Sequence, residues 1–452
     1  MKVLFAASEI FPYAKTGGLA DVAYALPLAL KKYVDIARVM PLYSFMAREA
    51  LCFYDNFTIT LDGDNYALKI WQHEEKGIIT YFIEAPYLSQ TDSLYGDSLA
   101  DYKENALRFT IFCMAIVELS MRLNITLIHL NDWHTALVAF FVKKYDLTTK
   151  TLFTMHNLAY QGIFDRAVLK ILGIEEHYFT MDALEFHGKV NFLKAGIAFS
   201  DCITTVSMTY AQEILTETFG CGLHGFLEVH KKKLFGILNG IDYGMFPPLK
   251  EIGDKKTAKE LLYKKFQFVK KELPLFVMIS RLVEQKGLEL LIESLDLLLS
   301  QNLYLFILGK GELEYVKVLK KYARLYENFY FFEAYDEALS HQIYLAADFL
   351  LMPSTFEPCG LNQFIAMKNG TIPVVHEVGG LKESVHEIKA LCGRGISYTE
   401  QNKQEFLYAL KRAQDLYEDQ ERLKHYQHFN LQCDFSFNKS AQRYLELYRS
   451  LV

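Results

Sequence analysis

The sequence predicts an α/β protein of two domains, each a parallel sheet wrapped by helices. Short apolar runs of strand length alternate with amphipathic helical stretches twice along the chain, a pattern that builds parallel sheets through right-handed crossovers. The chain has 452 residues, too many for one ordinary core. Between the two alternations, Asn239-Gly-Ile-Asp242-Tyr-Gly-Met-Phe-Pro247-Pro248 gathers turn formers and two prolines and breaks both periodicities. The expected division is 1–242 for the first domain and 243–430 for the second. A last helical stretch, 431–452, is expected to pack back toward the first domain.

In the first half, Val3–Ala7, Ile36–Met40, Leu127–Leu130, Thr151–Met155 and Cys202–Val206 read as buried strands. Residues 53–83 form an insert of alternating runs around Leu61-Asp-Gly-Asp-Asn65, which reads as a hairpin turn. In the second half, Leu275–Ile279, Leu303–Leu308, Phe329–Phe332, Phe349–Met352 and Ile372–Val375 are strand candidates. Helices are expected at Gly287–Leu299, Glu312–Tyr322, Leu339–Ala346 and Gly360–Lys368, with a charged helix over Asp254–Lys271 opening the second domain. From Gln401 onward the pattern is helical throughout.

Composition narrows the function classes. Hydrophobic residues make up 51% and charged residues 23%, ordinary for a globular protein. A net charge of −6 argues against a general nucleic-acid or membrane-surface role. The seven cysteines are odd in number and form no Cys-x-x-Cys pair, so neither a disulfide framework nor a zinc ribbon is expected. Met1-Lys-Val-Leu-Phe-Ala-Ala enters a strand directly, without a signal segment, and the longest apolar helical run, near Phe109–Leu119, is too short to span a bilayer. A cytoplasmic location is expected.

Two segments carry site chemistry. Ser354-Thr-Phe-Glu357-Pro-Cys359-Gly360-Leu361-Asn-Gln363 puts a carboxylate, a thiol and a glycine turn where a buried strand hands over to a helix. Ligands of open α/β sheets bind at such carboxyl ends, and helix starts suit phosphate. Near the start of the chain, Lys15-Thr-Gly17-Gly18-Leu-Ala-Asp21 combines a cation with glycines that let backbone approach a diphosphate. It fits neither the Gly-x-Gly-x-x-Gly dinucleotide pattern nor a P-loop, and spacing alone leaves an ordinary glycine turn equally open. Asp62-Gly-Asp64 sits between short strands and reads as a turn, and no cluster has metal-ligand spacing, so no metal is expected.

Taken together, these motifs resemble those of bacterial glycogen synthases and plant starch synthases. The resemblance starts in the Lys15–Val22 run and recurs at Asn131-Asp132-Trp-His134, Met155-His156-Asn157-Leu-Ala-Tyr-Gln-Gly162 and Asn191-Phe-Leu-Lys194-Ala-Gly196. It continues through Thr205-Val-Ser207, Asn239-Gly-Ile-Asp242, Ser280-Arg281-Leu-Val-Glu-Gln-Lys286-Gly287, Glu357-Pro-Cys-Gly360 and Val378-Gly-Gly-Leu381. It implies the GT-B architecture, two Rossmann-like domains facing a cleft. It also implies retaining transfer of glucose from ADP-glucose to the 4-OH of an α-1,4-glucan, with the glucan and the nucleotide sugar as partners and no cofactor.

By resemblance, Arg281, Lys286, Glu357 and His156 are the catalytic candidates. Fixed cations aimed at a departing diphosphate stabilise the transition state, although Arg281 and Lys286 also read as a surface ion-pair region at a helix start. Glu357 would accept from glucose hydroxyls or face a cationic ring, and a carboxylate at a helix start is in any case stabilised by the helix dipole. Lys15, Gly17, Gly18, Asn239, Cys359, Gly360 and Leu361 are expected on the nucleotide sugar. Asp21, Tyr95, Asp132, Asn157 and Lys194 are expected on the sugars, with helix capping an equal reading for Asp132. Two departures from the family pattern bear on donor affinity. His224 stands where a glutamate is common, and His376 where an arginine is usual. The competing classes are a related transferase with another donor or acceptor and a silent glucan-binding protein. A nicotinamide dehydrogenase is disfavoured by the missing fingerprint.

Overall fold

The computed structural model describes every residue except 97–99, 270–272, 335 and 390–391. The chain forms two compact units, Met1–Asn239 with Phe437–Val452, and Gly240–Ser436. The first division therefore falls just before the expected 242. Residues 431–436 stay with the second unit, and only the final helix, Asn438–Leu451, belongs to the first.

The first unit is built on strands β1 (Lys2–Ala6), β2 (Asp35–Pro41), β3 (Cys52–Leu61), β4 (Asp64–Glu75), β5 (Ile78–Glu84), β6 (Leu127–Asn131), β7 (Lys150–Met155), β8 (Ile163–Asp165), β9 (Glu185–Phe186), β10 (Lys189–Asn191), β11 (Cys202–Thr205) and β12 (Leu234–Gly236). Nine of them form one sheet in the order β12-β11-β7-β6-β1-β2-β5-β4-β3, and β8, β10 and β9 form a small antiparallel sheet. In the large sheet β4 alone runs against the others, pairing antiparallel with both β3 and β5. Asp62 and Gly63, with φ of 46° and 87°, make their two-residue connection, so Asp62-Gly-Asp64 is a hairpin turn. Successive strands depart in opposite directions from β1, and the crevice beyond the carboxyl ends of β1 and β6 is the place where such sheets bind ligands.

The second unit repeats this logic with six parallel strands. They are β13 (Leu275–Ile279), β14 (Tyr304–Leu308), β15 (Phe329–Phe332), β16 (Phe349–Met352), β17 (Ile372–His376) and β18 (Ile396–Tyr398), in the order β15-β14-β13-β16-β17-β18. Its switch point lies between β13 and β16. The helix after β16 begins at Asn362 rather than Gly360, because Gly360 is left-handed at φ 71° and Leu361 is the N-cap. The helix opening this unit spans Ile252–Lys265, and residues 270–271 of the expected stretch lie outside the described residues. Among the described residues no helix is long and apolar enough to cross a membrane.

The final helix is tied to the first sheet by a buried polar chain. Tyr448 Oη lies 2.6 Å from His129 Nδ1, His129 Nε2 is 2.7 Å from Thr154 Oγ1, and Thr154 Oγ1 is 2.6 Å from Thr204 Oγ1. These groups sit on β6, β7 and β11, the strands that carry the site loops. Burial holds the His129 ring well below its usual pKa, so it is neutral and needs both neighbours. Tyr448→Phe orphans one buried nitrogen and should lower stability by about 1–3 kcal/mol. A downward shift of the urea midpoint checks this, and an unchanged midpoint contradicts it.

Candidate active site

In the first unit the site starts where β1 ends. The following loop carries Glu9 to a position only 3% exposed. Its carboxylate accepts from the Thr16 N–H and from Thr16 Oγ1, the latter at 3.0 and 3.1 Å. That bond folds the loop so that Lys15, Gly17 and Gly18 arrive at the start of the helix Gly18–Leu30. A Cβ on Gly17 would meet nothing within 4 Å, which leaves open space over the loop. Lys15 Nζ pairs with Asp21 Oδ1 at 2.8 Å. The two residues expected on different parts of the donor and acceptor are thus each other's partners. Burial pushes the Glu9 carboxyl up to about 7, against the pull of Thr16 and with help from the charge of Asp21.

β6 and β7 supply the centre of this group. Asn131 ends β6, and its Oδ1 lies 2.8 Å from His156 Nε2 beyond the end of β7. Asn131 Nδ2 in turn donates to Ala6 O at 3.0 Å, which ties the pair to β1. Asp132 makes no capping bond to the helix Trp133–Lys144, so the capping reading fails. Its Oδ1 accepts the His156 N–H at 2.7 Å instead. Asp132 has φ 56° and ψ 178°, a region open essentially to glycine alone, and such strain costs of order 1–3 kcal/mol. The bond to His156 accounts for the strained backbone. Burial holds the His156 ring neutral, its pKa pushed down to about 3, and pushes the Asp132 carboxyl up to about 7.

The remaining first-unit candidates divide. Tyr95 Oη lies 2.7 Å from Ser8 Oγ, and its ring stacks on His134 at 4.5 Å, which places it beside the β1 loop. Asn157 folds its Oδ1 onto the Ala159 N–H at 3.0 Å. Asn239 keeps a buried Oδ1 with no hydrogen-bond partner among the described residues. Lys194 is turned elsewhere. Its Nζ donates to Glu185 O at 2.5 Å and lies over the Phe226 ring, on the side of the small sheet. His224 opens the helix His224–His230.

In the second unit the loops after β13, β16 and β17 converge. Lys286 Nζ donates to Glu357 Oε2 at 2.5 Å, and Ser354 Oγ donates to the same oxygen at 3.1 Å. Gly287, left-handed at φ 69°, runs so close to the next loop that a Cβ would stand 1.9 Å from Pro353 O. Asn362 Nδ2 fastens the following helix to Ile279 O at 2.6 Å. Gln363 Nε2 donates to Cys359 O, Gly360 O and Ser384 Oγ at 2.9, 3.0 and 3.1 Å, which pins the loop through Cys359, Gly360 and Leu361. Arg281 stands exposed beyond β13. His376 is buried. Its Nδ1 is 2.8 Å from Ser354 O and its Nε2 3.2 Å from Thr399 O, so it braces the Glu357 loop from behind.

Sequence reading missed Glu9, Ser354 and Gln363 as supporting residues and left Asn131 without a role. An acid between a strand end and a glycine loop was the available signal for Glu9. Among the described residues no group of three or more His, Cys, Asp or Glu is placed to hold a metal ion.

Comparison with known proteins identifies the family. Two family models match, starch synthase catalytic domain over residues 2–229 and glycosyl transferases group 1 over residues 261–428. A glycogen synthase of Desulforamulus reducens is 40% identical over 480 residues, spanning 100% of this chain and 99% of its own. One from Aquifex aeolicus is 40% identical over 474 residues with the same coverage. The catalytic domain of starch synthase IV from Arabidopsis thaliana, solved bound to ADP and acarbose, matches at a TM-score of 0.90 and 32% identity, covering 100% of this chain and 99% of that one. Two Rossmann-like units, each with its loops gathered at a switch point, define a glycosyltransferase of GT-B architecture, a hexosyltransferase. Within that class the chain belongs to the glycogen synthase and starch synthase family.

Two outcomes test the local account. Gly287→Ala meets both the left-handed backbone and Pro353, and should destabilise the second unit by about 2 kcal/mol or more; a wild-type melting profile contradicts the packing. For Glu9 the folded pKa, about 7, lies above the usual 4.5. Its contribution is therefore fully present below the lower value and lost as pH rises through the upper one. Glu9→Gln, which never ionises, should be the more stable protein above neutral pH, by up to about 3 kcal/mol, with the gap closing toward acid. Urea midpoints across that range decide it, and a gap that does not change with pH refutes it.

Proposed function

We propose that the protein is a glycogen synthase that moves glucose from ADP-glucose to the non-reducing-end 4-OH of an α-1,4-glucan with retention of configuration. The observation that carries this reading is the Lys286–Glu357 pair at the switch point of the second sheet. It sets a cation for phosphate and an acceptor for sugar hydroxyls side by side.

In this scheme the C1–O bond to the β-phosphate breaks and charge develops on the departing diphosphate. Lys286 and Arg281 stabilise that charge, with backbone of the Cys359–Leu361 loop on the phosphates. Glu357, held by Ser354 and Lys286, accepts from glucose hydroxyls. The C1–O4 bond to the acceptor forms on the same face, and the acceptor proton passes to a departing phosphate oxygen, so no protein nucleophile is required. His156, neutral and fixed by Asn131 and Asp132, offers polar contact to a sugar without adding charge. Lys15 and Asp21 act as a paired unit at the glycine loop, and Tyr95, Asn157 and Asn239 are further sugar-contact candidates. Lys194, held by Glu185, supports the first unit's structure in this scheme. Preference for adenine in the donor rests on the family and on the relative solved with ADP. Arg281 and Lys286 meet the diphosphate charge without a metal ion. None of the seven cysteines forms a disulfide among the described residues, which suits a reducing cytoplasm.

The test is incubation with glycogen and ADP-glucose or UDP-glucose in the presence of a chelator, following diphosphate release and chain lengthening. Elongation from ADP-glucose is expected, undiminished by the chelator. Lys286→Ala should lose about 100- to 1000-fold in kcat with unchanged circular dichroism. Absence of elongation from either donor overturns the reading.

A further inference from the structure

The second unit holds a pocket of about 800 Å³ whose lining is strongly basic. Lys250, Lys256, Lys368 and Lys424 line it with His428, and Glu251 is the one carboxylate among the lining residues. This concentration of cations stands in a chain whose net charge is −6. None of the four lysines forms an ion pair among the described residues. From this arrangement we propose an anion-binding site, distinct from the donor site, for a small molecule carrying one or more phosphate groups.

Three features of the pocket support that chemistry. Lys368 is only 7% exposed, and its ammonium is met by two carbonyls, Leu431 O and, at 3.0 Å, Cys433 O. Those carbonyls and the Tyr243 ring, 5.3 Å from the ammonium, are its near partners, with the Asp434 carboxylate acting at longer range, and an anion in the pocket would give it a direct opposite charge. The helix Ile252–Lys265 starts in the pocket wall, and its N-cap, Glu251, makes no side-chain capping bond. Ile252 and Gly253 of the first turn line the pocket, which brings the positive end of the helix dipole to the same space as the lysines, while the Asp254 N–H is taken by Glu251 O at 3.1 Å. Asp254 lies in that first turn but does not line the pocket. The volume suits a metabolite-sized ligand. Lysine ammonium groups together with helix N–H groups favour phosphate oxygens.

The site shares no residue with the loops around Lys286 and Glu357. Lys368 and the Gly360 loop lie at opposite ends of the helix Asn362–Lys368, a span of about 10 Å. Ligand here and donor there would grip one rigid element from its two ends.

Lys256 and Lys424 are exposed, so their replacement should leave the fold intact. Calorimetric titration with pyrophosphate at physiological ionic strength tests the site. Arg281→Ala/Lys286→Ala, which removes the two cations assigned to the donor diphosphate, should still bind one pyrophosphate per chain. Adding Lys256→Gln and Lys424→Gln should weaken that binding by about tenfold or more. The proposal is overturned if the donor-site variant binds no pyrophosphate, or if binding ignores Lys256 and Lys424. It is also overturned if citrate binds as tightly as pyrophosphate, since the pocket would then read charge alone.

Discussion

The candidate donor site depends on one ion pair, Lys286 to Glu357, made between two loops that the sequence separates by 71 residues. Both partners are largely covered, with side chains 18% and 7% exposed, so neither charge can be abandoned to solvent. The surrounding features keep that pair in register. Thr355 N–H to Gln285 O and Gln285 Nε2 to Phe356 O stitch the two loops along their length. Gly380 N–H reaches Glu357 O from the β17 loop at 3.0 Å. Three loops on three strands thus define one carboxylate and one ammonium, and the fold's rigidity is transferred to the atoms that would meet a donor.

The first unit uses a different device. Burial, with a smaller push from neighbouring charge, makes Glu9 and Asp132 less acidic than free carboxyls, and burial keeps His156 neutral. Asp132 accepts backbone strain to hold the His156 N–H, and the Lys15–Asp21 pair largely cancels the one cation at the glycine loop. A surface of neutral and half-neutral polar groups suits recognition of hydroxyls. In the second unit Lys286, paired with Glu357, and the exposed Arg281 beyond β13 suit phosphate.

Much of this was legible in the chain. Apolar strands such as Thr151–Met155 and Leu275–Ile279 stood out because they are continuous and bounded by helical patterns. The edge strands β12 and β18 and the small sheet β8–β10 run only two or three residues, too few to show any period. Motif order supplied the candidate site residues; how they pair it did not supply. Nothing in spacing ties Lys286 to Glu357, or turns Asp132 from a helix cap into the partner of His156. His376 and Lys194 illustrate the same limit, since their side chains are claimed by carbonyls whose positions only the folded backbone supplies. Glu9 is a subtler case, because its bond to Thr16 is local and needed only the recognition that a glycine loop must be anchored.

A double-mutant cycle on Lys286 and Glu357, reading kcat/KM for glucosyl transfer from ADP-glucose, tests the central claim most directly. If the two side chains act as one unit, Lys286→Ala, Glu357→Gln and the double variant should lose activity to a similar extent, far short of the sum of the single losses in free energy. Losses that add in full would show that the two residues act independently, and would contradict the account of the pair as the organising element of the donor site.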